Sequence, residues 1–346
     1  MNGKPHPTIK DIAEKLGISA STVSRALHDH PAISQETKRK VLALAEKLGY
    51  YPDSIAQSLQ KRWTKVIGVL VPEIRHHFFS AAIAGIEEVA YEDGYTIIVS
   101  QSNESFEREV INTRSMISHR VAGLIVSIAQ TTVDGQHLSH LLQRGIPLVL
   151  FDRILEELEV SKVIVDDYEG AFKAIEHLIR SGYRRIAHLA GPPHLHISRE
   201  RLRGYIDALM KHDYPPDEAL IVHGGLSEED GAAGFRALWQ LPQRPDAIFA
   251  VNDPVAVGAF QGIKATGLRI PDDIGLVGFS NNPITEIIDP PLTTVDQHGY
   301  TMGQVAAQLL LNEIKNGDES ARPVTKVVKT ELIIRGSSSK KGAGQA

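Results

Sequence analysis

Cysteine is absent from the 346 residues, which removes disulfide frameworks and thiolate metal sites from consideration. No apolar run approaches the length of about 18 residues or more that a bilayer span requires. Nothing at the N-terminus reads as a signal peptide, so a cytoplasmic protein with no membrane partner is expected. Also missing are the short motifs that cradle phosphates or build common hydrolase centres: there is no P-loop, GxGxxG, GxSxG or HExxH. The Asp, His and Arg residues are scattered without a paired nucleophile and base. His194 and His196 flank Leu195, but two histidines without a third ligand fit polar lining or loop surface better than a metal site. The reading is therefore no enzyme, no cofactor and no metal.

What remains is ordinary in bulk and uneven in distribution. Hydrophobic residues make up 42% and charged residues 23%, as in soluble globular proteins. The formal net charge is −5. Residues 1–65 hold 11 Lys and Arg against 6 Asp and Glu, while the rest holds 26 against 36. A basic head on an acidic body suits a head that meets a polyanion; it equally fits an uneven surface.

The head reads as three helices. Thr8 can cap the first, with Asp11 in its first turn and Ile12, Ala13 and Leu16 as its apolar stripe, and Gly17 suits the position just past its end. Ser19 can cap a second helix with Val23, Ala26 and Leu27 on one face. Ser34 starts a third, with Val41, Leu44, Ala45 and Leu48 inward and Gly49 closing it. Two short helices around a tight turn form a helix-turn-helix if the second presents small and polar residues outward. That face offers Ala20, Ser21, Ser24 and Arg25. An arginine can bond guanine bidentately, an alanine can meet a thymine methyl, and hydroxyls can reach phosphates or bases. A helical hairpin that merely packs would show much of the same pattern. After Tyr50-Tyr51-Pro52-Asp53, the stretch Ser54 to Gln60 could form one short amphipathic helix, marginal alone because nucleation is costly.

From Val66 the rhythm changes. Apolar runs at Val66–Val71, Tyr95–Val99, Gly123–Ile128, Pro147–Phe151, Lys162–Val165, Arg185–Leu189, Asp246–Val251 and Gly275–Phe279 read as buried strands. Helical stretches such as Phe79–Glu92, Glu107–Ser118, Tyr168–Ser181, Arg199–His212 and Pro254–Thr266 alternate with them. Such alternation predicts parallel sheets with helices on both faces. Asp93-Gly94-Tyr95 and Ser181-Gly182-Tyr183 echo each other as helix-to-strand joints, which points to two similar α/β halves. Gly336 to Ala346, rich in Gly, Ser and Lys, is expected to be a disordered tail.

The string Thr8-Ile9-Lys10-Asp11-Ile12-Ala13, then Gly17-Ile18-Ser19, then Thr22-Val23-Ser24-Arg25-Ala26-Leu27, resembles the head of the lactose-repressor (LacI/GalR) family. Gly49-Tyr50-Tyr51-Pro52 and the hinge-like Ala56-Gln57-Ser58-Leu59 continue the resemblance, which runs on through the body over nearly all of residues 8–335. The resemblance implies an all-α helix-turn-helix head over 1–52, a hinge helix and linker over 53–65, and an effector-binding and dimerisation body over 66–335. That body would have two α/β subdomains with parallel sheets, like a periplasmic binding protein, with the ligand in the cleft between them. The implied DNA-contacting residues are Thr8, Ser19, Ala20, Ser21, Thr22, Ser24 and Arg25, with Ser54 and Ala56 in the hinge. Leu59 takes the position of the leucine that wedges into the minor groove and kinks the duplex. The implied effector residues are Phe78, Phe79, Arg153, Arg201, Asn252, Asp253, Ser280 and Asn281. Many members have Asp where this chain has Ser280. Leu195 and Ile197 stand where purine-sensing members have polar contacts, which argues against a purine and leaves a sugar or sugar derivative as the family's default.

The expected function is a sequence-specific transcriptional regulator, a repressor that binds a near-palindromic operator in double-stranded DNA as a homodimer under control of a small-molecule effector. The alternative is a solute-binding protein of a transport system; the basic head and the missing signal peptide count against it.

Overall fold

A computed structural model describes residues 7–50, 64–317 and 322–339. The chain divides into two compact units, Met1–Thr64 and Lys65–Ala346. The hinge residues Ser54, Ala56 and Leu59 lie outside the described residues.

The first unit is held together by its helix ends. Helix α1 (Ile9–Leu16) opens on a capping box in which Thr8 and Asp11 each bond the other's backbone N–H, and closes on Gly17 at φ 64°, a left-handed conformation that glycine adopts without strain. Helix α2 (Ala20–Leu27) is capped by Ser19 Oγ, which accepts from the Thr22 N–H at 3.1 Å. Helix α3 (Gln35–Leu48) is capped by Ser34 and ends at Gly49, φ 65°. Ile12, Val23 and Val41, one from each helix, are fully buried at the centre. Lys38 of α3 lies buried with its Nζ on both the carboxylate (2.6 Å) and the carbonyl (3.1 Å) of Asp29, tying α3 to the chain just beyond α2.

The second unit alternates as its sequence suggests. Its first lobe contains β1 (Val66–Val71), α4 (His77–Glu92), β2 (Thr96–Gln101), α5 (Phe106–Ser118), β3 (Gly123–Val126), α6 (Gln136–Leu142), β4 (Leu148–Phe151) and β5 (Ser161–Val165). The second contains α7 (Asp167–Arg180), β6 (Ile186–Ala190), α8 (His196–Lys211), β7 (Ile221–His223), α9 (Glu228–Trp239), β8 (Ala247–Ala250), α10 (Asp253–Ala265), β9 (Gly275–Val277) and the short α11 (Ile284–Ile287). The chain then passes β10 (Thr294–Asp296), returns to the first lobe with α12 (Gly299–Asn316) and β11 (Thr325–Val328), and ends with β12 (Glu331–Ile333), antiparallel to β10. The first sheet runs β11-β5-β4-β3-β1-β2 and the second β7-β6-β8-β9, both parallel throughout. Burial on both faces explains the unbroken apolar runs of β1, β3, β4, β6, β8 and β9, whereas β2, expected to be buried, is an edge strand with no fully buried residue.

The echoed joints are real structural counterparts. Gly94 (φ 74°) and Gly182 (φ 89°) both turn left-handed, and the N–H groups of Tyr95 and Tyr183 bond back to Ala90 and Leu178 of the helices they leave. Helices α4 and α12 cross closely because a Cβ on Gly85 would fall 2.1 Å from the Tyr300 carbonyl oxygen, and one on Gly303 would fall 2.0 Å from that of Ala82.

The expected disordered tail over 336–346 is corrected at its start. Gly336–Ser338 forms a 3-10 turn in which Ser337 and Ser338 are fully buried. Ser337 Oγ donates to the Leu276 carbonyl (2.6 Å) and accepts from the Thr293 N–H (2.8 Å), and Ser338 Oγ pairs with His177 Nε2 at 2.7 Å. Small polar residues read as linker by composition; here their hydroxyls fill bonding positions that the second sheet leaves open. Among the described residues no helix is long and apolar enough to cross a membrane.

Candidate functional sites

In the head, the outward face of α2 carries Ala20, Ser21 and Arg25, all exposed, with Thr22 and Ser24 half-buried beside them. The hydroxyls divide their duties. Ser19 Oγ caps the helix and lies 2.8 Å from both Ser21 Oγ and Thr22 Oγ1. Thr8 Oγ1 donates to Asp11 (2.7 Å), which holds the Asp11 carboxyl below its ordinary range. Arg25 forms no ion pair among the described residues. The structure thus offers, among the described residues, an uncommitted guanidinium on the exposed face of a helix capped by Ser19 through the Thr22 N–H.

In the body, a cleft between the lobes opens where the C-terminal ends of the strands in both sheets point toward each other, the place where open α/β sheets hold ligands. It encloses about 470 Å³ of atom-free space, its solvent-filled mouth included. Six of the eight expected effector residues line it: Phe78, Phe79, Arg153, Arg201, Asn252 and Ser280. Phe78 and Phe79 meet edge to face at 5.1 Å, and the Arg153 guanidinium sits 5.6 Å from the Phe79 ring centre. Arg201 is buried to 1% exposure. Its Nε and Nη2 lie 2.8 and 2.7 Å from Asp167, its Nη1 donates to the Val251 carbonyl (2.6 Å), and its plane lies 3.8 Å from the Phe279 ring centre. Asn252 caps α10 through the Val255 N–H and donates to the Leu226 carbonyl. Ser280 donates to Gln297 at 2.8 Å.

The other two lie behind the wall. Asp253 is fully buried and accepts from Thr294 Oγ1 (2.6 Å) and the Asn282 N–H (2.7 Å), so it holds the wall rather than lining it. Burial pushes its carboxyl up to about 6. Asn281 donates to Asp296 (3.0 Å) and accepts from Arg335 (2.9 Å), also away from the open space. In their place Asn282 and Gln297 reach the cleft. Near the entrance, His194 Nε2 donates to the Gln130 carbonyl (2.7 Å), and His196 and Arg199 both bond Glu156. These contacts join the two lips, and they engage both histidines with protein partners.

Three further polar residues line the cleft, and of these only Asp152, paired with Arg153 in the family resemblance, is expected there from sequence. Glu104 follows β2, with φ 57° after Asn103 at φ 49°. Asp152 follows β4 at φ 58° and is 5% exposed; burial raises its carboxyl to about 6. His76 stands before α4, its imidazole pKa lowered by burial. One signal was available for each: the residues just past a parallel strand's C-terminal end face the cleft.

Residues 8–53 match the family of bacterial regulatory proteins of the lacI type, and residues 175–338 match the periplasmic binding protein-like domain. Over 331 residues the chain is 33% identical to the HTH-type transcriptional repressor CytR of Escherichia coli K12, spanning 95% of this chain and 96% of that one. The chain belongs to the LacI family. The ribose operon repressor of Haemophilus influenzae is a further relative, 31% identical over 95% of this chain and 97% of its own. A Lac repressor dimer bound to operator and an anti-inducer superimposes with a TM-score of 0.84 at 27% identity, covering 97% of this chain and 99% of that one. A CelR regulator in complex with cellobiose gives a TM-score of 0.73 at 29% identity, covering 96% and 99%. This LacI-family chain is accordingly a DNA-binding transcriptional regulator, neither an enzyme nor a transport binding protein.

Proposed function

We propose that this regulator is a cytoplasmic repressor that binds a near-palindromic operator as a homodimer and releases or grips it according to a sugar-like effector in the interlobe cleft. The observation that carries the reading is the exposed face of α2, where Ala20, Ser21 and Arg25, which has no ion pair among the described residues, stand ready for base edges. Thr8, Ser19, Thr22 and Ser24 would serve phosphates and neighbouring bases, and Ser54, Ala56 and Leu59 the minor groove. Exposed apolar side chains on both lobes, Tyr91, Ile98 and Ile111 on the first and Ile284 and Ile287 on the second, suit burial against a second copy. Effector and operator affinities would be linked reciprocally.

Selection of bound sequences from a random duplex pool tests the reading. A two-fold related consensus is expected, with Leu59→Ala weakening consensus binding more than non-specific binding at fixed salt. Retention of unrelated sequences alone would refute it.

A further inference from the structure

The cleft contains two buried guanidiniums, which would ordinarily advertise for an anion. The charge of each is already paired with a carboxylate of the protein, although each keeps one nitrogen without a hydrogen bond. Arg201 is matched by Asp167, as described above. Arg153, 5% exposed, places its Nη1 2.8 Å from each carboxylate oxygen of Glu104. Glu104 is itself held in place: its Oε2 also accepts from the Gln130 N–H at 2.7 Å. Its backbone, like that of Asn103, adopts a left-handed conformation uncommon outside glycine, aiming the carboxylate back into the cleft. A third carboxylate, Asp152, meets only the far edge of an arginine already paired with Glu104. Arg153 Nε is 3.9 Å away, and the Gln297 side chain donates to it at 3.3 Å.

The unanswered groups are of both kinds. Arg153 Nε and Arg201 Nη2 are buried donors without a hydrogen-bond acceptor, and Asn282 Oδ1 and Asp167 Oδ2 are buried acceptors without a donor. A ligand hydroxyl, donor and acceptor at once, can answer either. A carboxylate or phosphate could answer only the arginines, and would face Glu104 and Asp152 while doing so. The approach repeats the bias: Glu73, Glu228 and Glu229 line the outer mouth with one cation, Arg75, whose guanidinium is bonded to Glu73 at 2.7 Å. An acidic mouth lowers the local concentration of anions.

We infer that Glu104 is a specificity-determining residue that occupies Arg153 and so restricts the cleft to uncharged polyhydroxyl ligands, excluding uronates and phosphorylated sugars. The inference rests on the effector-cleft reading above.

The test uses the full-length protein and charge-matched probes: D-galactose with D-galacturonate, D-ribose with D-ribose 5-phosphate, and adenosine with adenosine 5′-phosphate, by calorimetry and thermal shift at constant ionic strength. At least one neutral probe is expected to bind, with its anionic counterpart at least 100-fold weaker. Glu104→Gln should narrow that ratio at least tenfold by freeing Arg153, and adding Arg153→Met should remove the gain. A wild-type preference for an anionic member overturns the inference and leaves the cleft reading intact. Neutral preference with no change in the ratio in Glu104→Gln overturns the assignment to Glu104. Binding of no probe overturns the cleft reading and the inference with it. The wild-type ratio tests charge selection whether or not the variants fold.

Discussion

The head and the cleft solve opposite problems with their charged residues. In the head, Arg25 is exposed and, among the described residues, without an ion pair, on a small helix whose support comes from Ile12, Val23 and Val41 behind it. In the cleft, Arg153 and Arg201 are buried and each is neutralised by a carboxylate of the same chain. A polyanion the size of a duplex meets the protein at its surface, where a free guanidinium is well solvated until contact. A small ligand must be enclosed, and enclosed charge is tolerated only when paired. The lesson is that an exposed head charge such as Arg25 can be removed without loss of fold, whereas the buried, paired cleft arginines are part of the fold.

The largest effect should come from breaking a buried pair. Arg201→Met leaves Asp167 enclosed with no cation, a change that typically costs about 3–5 kcal/mol. Burial already lifts the Asp167 carboxyl with Arg201 opposing it, so losing the arginine drives it to take up a proton. Denaturant unfolding of the body should show this loss, and Arg201→Met combined with Asp167→Asn should recover much of it. A single variant as stable as wild type would break the comparison, because Arg201 would then act as a surface charge.

A smaller effect concerns pH. Asp152 titrates at about 6 in the folded protein, above its ordinary 3.8, because burial disfavours its charge. A carboxyl raised on folding binds its proton more readily in the native state, so its contribution to stability falls as pH climbs from about 4 to 6 and stays unfavourable above. The slope is at most about 1.4 kcal/mol per pH unit. Asp152→Asn removes the titration, so wild-type stability minus variant stability should decline across that window. A flat difference would show that Asp152 is solvated.

The same contrast governs what was legible. Head elements are marked by local chemistry: Thr8, Ser19 and Ser34 as caps, Gly17 and Gly49 as stops, each within a residue of the helix it bounds. The body's long buried strands were readable for a related reason, since burial on both faces leaves continuous apolar runs. Helix α12 was not read, because no side chain caps it and His298 enters it at φ 51°. Helix α9 was missed although Ser227 and Asp230 form a capping box. Strands β7, β10 and β12 are three residues long, too short for any period to register, whereas the equally short β9 shows because its apolar run continues to Phe279. In the cleft, Phe78 and Phe79 follow β1 and Arg153 follows β4, so position along the chain points to them. Asp253 and Asn281 sit one residue from cleft-lining neighbours, and a one-residue step at a turn reverses which side chain faces the open space. Glu104 and Gln297 follow strand ends, a position that marks them as candidates, but their reach into the cleft depends on loop conformations that no short sequence pattern encodes.

The smallest effects should separate support from contact inside the head. Ser19→Ala removes the oxygen that accepts from the Thr22 N–H and should cost the head about 1 kcal/mol of stability. Arg25→Ala removes no ion pair among the described residues and should change stability by less than about 0.5 kcal/mol. Its effect should appear on DNA instead, as about 1–3 kcal/mol of lost discrimination at one base pair in each half-site. Thermal unfolding of both variants, together with selected-sequence profiles, reads the two quantities separately. If Arg25→Ala lowered stability as much as Ser19→Ala while leaving base choice unchanged, the exposed face of α2 would be a packing surface. The division between a head built to be touched and a cleft built to enclose would then fail at its clearest point.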